Sequence, residues 1–239
     1  MEQNYWEKNQ KKALKAYRKH IDVFVSAMKA YPERISEGAF LKETESRFIA
    51  LLPKLPLHPG SKAHLFNELM PALGTIAAAY RVLNAHGYTA EQIGRLEYEG
   101  YLQLFNKIPT PIRGLARRVM VSSLFPRLMK KNTRKMTESG RADTFFIEYA
   151  FQKRPCRATH MTCTQCGMIA FMEKNNLEEM KGFCNAFDFA QAEAFGLGLR
   201  QPSCIGQGDD TCRYVFTANK NDTVLPENIV AIRNVSMDA

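Results

Sequence analysis

No glycine-rich phosphate loop follows a strand-like run in this chain, no serine sits in a nucleophile elbow, and no histidine-rich metal motif occurs. Helix-turn-helix and zinc-finger spacings are missing too, as are internal repeats and low-complexity tracts. Long apolar runs are equally scarce. The longest, around Ala72 to Leu83, is broken by Arg81 and is too short to span a bilayer. The opening residues, MEQNYWEKNQKKALKAY, hold no apolar core followed by small residues, so a cytoplasmic location is expected. Acidic residues are missing from one long stretch. Between Lys107 and Lys135 stand nine basic residues (Lys107, Arg113, Arg117, Arg118, Arg127, Lys130, Lys131, Arg134, Lys135) and no acidic ones. The formal charge of +9 is therefore local, because the rest of the chain balances.

What is present is ordinary globular composition: 239 residues, 45% of them hydrophobic, enough for one large domain or two small ones. Leu14, Tyr17, Ile21, Phe24, Val25 and Met28 recur at spacings of three and four, predicting a helix from Tyr5 to Tyr31 that ends at Pro32. Further helices are predicted over Ser36 to Leu52, Lys62 to His86 with Ser61 as cap, and Thr89 to Phe105, with the proline-rich LLPKLPLHPG as an extended connector. In the basic stretch, Ile112, Leu115, Val119, Met120, Leu124 and Leu128 interleave with the cations and predict an amphipathic helix interrupted near Pro126. Such a helix suits an anionic membrane, an acidic small molecule or plain solvent; nucleic acid fits less well, because Phe125 is its only aromatic.

The second half reads differently. Thr144 to Gln152 is aromatic and β-branched and should be a strand; Met161 to Lys174 is expected to be helical, with Cys163 and Cys166 one turn apart. A helix over Phe183 to Phe195 ends at Gly196 and Gly198, and Ser203–Gln207 and Thr211–Phe216 are predicted strands about a Gly208-Asp209-Asp210 turn. That turn would bring Cys204 near Cys212. The fold class expected is α+β: a helical N-terminal half packed on a small antiparallel sheet with covering helices in the C-terminal half. The divisions read as a helical region over 1–136, a cysteine-containing α+β region over 137–217 continuous with it, and a polar, surface-bound or frayed tail over 218–239.

Chemistry concentrates in the six cysteines, expected to be reduced. Cys184, Asp188 and Gln191, at i, i+4 and i+7, align a thiol, a carboxylate and an amide on one helix face. A thiol at a helix start has its thiolate favoured by the dipole, and a carboxylate one turn away can handle protons; the bland alternative is that Cys184 is a small core residue. His160 is a candidate base or a packing residue. Zinc, if bound, would take Cys163, Cys166, Cys184 and Cys212, although a structural site usually shows two close pairs; a redox pair at Cys163 and Cys166 lacks the βαβ context of that motif. No other cofactor is expected.

The segments FIALLPKLP, NELMPALGTIAAAYRVLNAHGYTAEQIGRLEYEG, GFCNAFDFAQAEAFG and GQGDDTCRYVF resemble the L-2-amino-thiazoline-4-carboxylic acid hydrolase family, over about Phe48 to Phe216. The most specific parts are Phe183-Cys184 with Asp188, and Gly208-Asp209 with Cys212. The resemblance implies an intracellular α+β hydrolase that opens a 2-aminothiazoline ring by adding water at an amidine-like carbon. For an enzyme of this kind, the residues expected to be catalytic are Cys184, Asp188, Cys166 and Cys212, and the expected substrate contacts are Arg200, Gln191, Tyr149 and His160, with Arg200 pairing with a carboxylate. The closing GDDTCRYVF also resembles the four-vinyl-reductase-like ligand-binding domains, which leaves open a non-catalytic small-molecule sensor, beside a zinc-stabilised scaffold. Expected partners are a small-molecule substrate or ligand, an anionic surface contacted by residues 107–135, and a second copy of the chain.

Overall fold

The computed structural model describes residues 5–57 and 65–238. The helical half follows the sequence closely. The first predicted helix is α1 (Tyr5–Lys8) and α2 (Gln10–Met28), interrupted at Asn9. Its apolar stripe, with Tyr17, Ile21 and Phe24, is almost wholly buried. α3 (Glu37–Leu51) starts where the Ser36 side chain accepts from the Ala39 N–H. α4 (Leu65–Ala85) follows; its predicted cap, Ser61, lies outside the described residues. α5 (Ala90–Asn106) opens on a capping box in which the Thr89 hydroxyl accepts from Gln92 N–H and the Gln92 amide oxygen accepts from Thr89 N–H.

α5 is the central helix, packed against α2 on one side and later helices on the other. Gly100 sets the α2 crossing: a Cβ there would lie 2.1 Å from the Val23 carbonyl oxygen. The basic stretch forms two helices, α6 (Thr110–Met120) and α7 (Leu124–Ser139). The break falls at residues 121–123 rather than at Pro126, which occupies the first turn of α7, where no ladder bond needs its missing N–H.

Four strands form one antiparallel sheet in the order β1 (Phe146–Gln152), β2 (Ala158–Gln165), β4 (Cys212–Thr217), β3 (Gly198–Ser203). The α+β expectation holds, but two elements differ from their predicted form. Ala158–Gln165 is a central strand, so Cys163 stands on a strand and not on a helix. Its Thr159, Thr162 and Thr164 lose side-chain freedom in a helix, and pairing on both edges secures the extended form. The strand predicted at Ser203–Gln207 ends at Ser203; Ile205–Gln207 is a 3-10 turn. α8 (Gly167–Lys174), α9 (Glu178–Lys181) and α10 (Ala186–Phe195) lie between β2 and β3, and α10 packs on α5.

Residues 218–238 are not a frayed tail. They carry α11 (Glu227–Asn234), whose Ile229 and Ile232 are fully buried and which packs on α5. The chain beyond it is tied down by Arg95, which donates to Val235 O at 2.6 Å, and by Gln92, which donates to Ser236 O at 2.8 Å. Two inward-facing isoleucines in a two-turn helix are a weak sequence signal, and their packing on α5 secures it. Among the described residues no helix is long and apolar enough to cross a membrane.

A cysteine cluster as candidate functional site

The sheet register sorts the candidates onto two faces. Tyr149, Met161 and Tyr214 stand opposite one another across β1, β2 and β4, and Ile147, Cys163 and Cys212 do the same two residues on. Alternation along a strand puts both rows on one face, the buried one. Ala150, His160, Val215 and Arg200 form a row on the other face. That face is partly open to solvent, and Arg200 is exposed. Hence His160, whose ring nitrogen lies 3.2 Å from Gln152 Oε1, and Arg200 do not join the thiols. The structure thus places these two expected substrate contacts on the sheet face opposite the thiols.

The thiols do come together, and their centre is Cys204. The Gly208-Asp209-x-x-Cys212 motif builds its setting. Gly208 adopts φ +99, a left-handed conformation that closes the turn, and Asp209 folds back so that its carboxylate accepts the Cys204 N–H at 2.7 Å. Cys212 Sγ accepts the Ile205 N–H at 3.2 Å. Across from this loop, Cys184 occupies the turn before α10, and its Sγ is 3.7 Å from Cys204 Sγ. Cys184 and Cys212 both donate to Cys204, and the N–H groups of Gly206 and Gln207 add to them, so the Cys204 thiol is held well below the usual thiol range. The donors move the other way: hydrogen bonding to Cys204 and burial push Cys184 and Cys212 up. The three sulfurs thus form one hydrogen-bonded cluster in which Cys204 is the thiol whose ionised form is favoured.

A second pair lies beside it. Cys166, at the start of α8, is lowered by the Cys163 thiol and by the N–H groups of Met168 and Ile169, against the effect of burial; Cys163 is raised in return. Cys166 feels Cys204, and Cys163 feels Cys212, so the two thiol groups are neighbours. The sixth cysteine, Cys156, is exposed. Among the described residues no three His, Cys, Asp or Glu side chains are disposed to hold a metal ion.

Asp188, on the first turn of α10, faces the thiols. Burial pushes its carboxyl up to about 7, with Tyr214 as the hydrogen-bond partner that opposes the shift and the Cys204 charge adding to it. Tyr149 is raised by burial, then by Cys163 and Asp188, which places it at the same site from β1. Gln191 is half-buried one turn after Asp188. The site thus gathers Cys166, Cys184, Cys212, Asp188 and Tyr149 from the sequence expectations, and adds Cys204 and Tyr214. Both additions carried a sequence signal: Cys204 by its place across the turn from Cys212, and Tyr214 by alternating with Cys212 on one strand.

The loop lies tightly on the Cys184 turn. A Cβ on Gly206 would come 2.2 Å from Lys181 O and 2.7 Å from Cys184 Sγ. Gly206→Ala should therefore lift the loop, part Cys184 from Cys204 and raise the Cys204 thiol. Thiolate absorbance near 240 nm, titrated against pH in a Cys156→Ser background, should show its midpoint at least about one pH unit higher. An unchanged midpoint would mean that Cys184 does not hold the charge on Cys204.

Comparison of the chain with protein-family models, with curated proteins and with solved structures finds no match. The functional reading therefore rests on the site and on the quoted motifs.

Proposed function

We propose that this chain is a hydrolase of the L-2-amino-thiazoline-4-carboxylic acid hydrolase type, acting on the C=N carbon of a small, carboxylated, cyclic amidine-like substrate. The observation that carries the reading is the cluster itself: Cys204 Sγ lies 3.7 Å from Cys184 Sγ and beside Cys212, next to the half-buried Asp188, and this setting favours the Cys204 thiolate and pushes the Asp188 carboxyl up to about 7. The nucleophile in this reading is Cys204, and Cys184 is one of its donors.

The chemistry closes with these groups. The Cys204 sulfur adds to the amidine carbon, and the C=N electron pair moves to nitrogen. The nitrogen pair then re-forms C=N and expels the ring heteroatom, to which neutral Asp188 gives its proton as that bond to carbon breaks. The Asp188 carboxylate then takes a proton from water, whose oxygen bonds to the same carbon, and the Cys204 thiolate leaves. A carboxyl at about 7 can play both parts at neutral pH.

The test is turnover of 2-aminothiazoline-4-carboxylate and of simple amidines by purified Cys156→Ser protein and its variants. Cys204→Ser should lower kcat/KM at least about a hundredfold. Cys184→Ala, which removes a donor, should retain turnover but shift the acid limb of the pH–rate profile upward. Full activity in Cys204→Ser would sink the nucleophile assignment. Saturable binding of these compounds without their consumption would mark the site as that of a sensor instead.

A further inference from the structure

The basic stretch presents its apolar side to solvent. On α6, Ile112, Leu115 and Val119 recur at three and four and form one stripe. A helix that packs on a protein normally turns such a stripe inward. Here Ile112 is 56% and Leu115 61% exposed, and no α6 residue is fully buried. The opposite, arginine-bearing side faces the protein. Arg113 donates to Ala194 O at 2.8 Å and to Asn106 Oδ1 at 2.7 Å, and Arg117 reaches toward Gly196 O at 3.5 Å, so both guanidinium groups sit at the carbonyl end of α10. α6 is thus fixed with Ile112 and Leu115 outward and Val119 half-buried beside them.

α7 continues the pattern. Leu124 is 49% and Leu128 50% exposed on its first two turns. Of the nine exposed large apolar side chains among the described residues, these four fall between residues 112 and 128. The cations around them are also free. Arg118, Arg127, Lys130, Lys131 and Lys135 are exposed and have no ion-pair partner among the described residues; Arg134 alone pairs, with Glu138 at 3.5 Å. No acidic residue occurs between Glu99 and Glu138.

We infer that α6 and α7 form a docking surface for an anionic lipid bilayer, with Ile112, Leu115, Leu124 and Leu128 entering the headgroup–acyl boundary and the flanking lysines and arginines meeting lipid phosphates. The combination decides the occupant. Free cations alone would suit any polyanion, but exposed branched aliphatic side chains gain only from an apolar phase, which a bilayer supplies and a nucleic-acid backbone does not. This inference is independent of the hydrolase reading.

Sedimentation of the full chain with vesicles tests it. Vesicles of phosphatidylcholine with about 30 mol% phosphatidylglycerol should bind at least about tenfold more tightly than pure phosphatidylcholine. Leu115→Ser combined with Leu128→Ser should cost about tenfold or more on the anionic vesicles with an unchanged melting temperature, since both side chains are exposed. Lys131→Glu with Lys135→Glu should weaken binding comparably and reduce its salt dependence. Failure to sediment with anionic vesicles, or unchanged binding by the double serine variant, overturns the inference. So does tight binding to DNA or RNA combined with no binding to vesicles.

Discussion

Gly100→Ala should leave the chain unable to keep its central helix crossing, with a loss of stability of about 3 kcal/mol or more. α5 meets α2 at this residue so closely that an added Cβ would stand 2.1 Å from Val23 O, 2.6 Å from Val23 Cγ1 and 2.7 Å from Val23 C. Two of those atoms are backbone, which no change of rotamer can move. The helices must separate, and the contacts around Phe24, Val23 and Tyr101, all buried, loosen together. Helix propensity opposes the effect, since alanine gains up to about 1 kcal/mol over glycine, but that is too small to cancel it. Gly38→Ala supplies the contrast: it lies in α3 with nothing within 4 Å of the added carbon, and should be neutral or slightly stabilising. Urea midpoints for the two variants check the pair. A Gly100→Ala midpoint equal to the parent's would mean that the helices do not cross this closely.

Glu97→Gln should have the opposite sign and grow with pH. Glu97 is buried on α5, and burial alone pushes its carboxyl from 4.5 up to about 8. A raised carboxyl binds its proton more tightly in the folded chain than in the unfolded one. Its stabilising effect is therefore complete below about pH 4 and is lost as pH rises toward 8. A shift of this size corresponds to roughly 4–5 kcal/mol between those limits, an upper bound because buried sites relax and admit water. Asp188, raised to about 7, acts in the same direction. The parent should lose stability steadily from about pH 4 to pH 8, and Glu97→Gln, an uncharged near-isostere, should remove much of that slope. Denaturant unfolding at a series of pH values checks it; equal slopes in parent and variant would show that Glu97 is not the group responsible.

The sites of these two substitutions illustrate what a sequence shows directly. Gly100 and Glu97 both sit in a stretch that reads plainly as helix, with its cap at Thr89, yet nothing in LEYEGY says that one face of it touches the α2 backbone. The same holds for β2. Met161 to Lys174 has enough apolar residues to pass for a helix, and only pairing with β1 and β4 on both edges makes its first half a strand. That change moves Cys163 from a helix turn shared with Cys166 to a place opposite Cys212. Cys184 and Asp188 do not share a helix face, since α10 begins only at Ala186 and Cys184 lies in the turn before it, yet both reach the cluster around Cys204. The facing of Arg200 depends on the register of β3 against β4, and β3 ends at Ser203, where spacing along the chain predicts a strand to begin.

By itself the sequence determined the helical first half, the small sheet in the second, the turn at Gly208 and the local excess of positive charge, all of which depend on residues within a few positions of one another. Tertiary structure alone decided which thiols come together, which apolar side chains of α6 meet solvent and that the Glu97 carboxyl is buried. Those properties depend on desolvation and on donors brought from distant parts of the chain: Cys184 from one loop, Cys212 from a strand, and both aimed at Cys204. Coulomb and hydrogen-bond energies are set by distance in space, and folding makes neighbours of residues that spacing along the chain keeps apart.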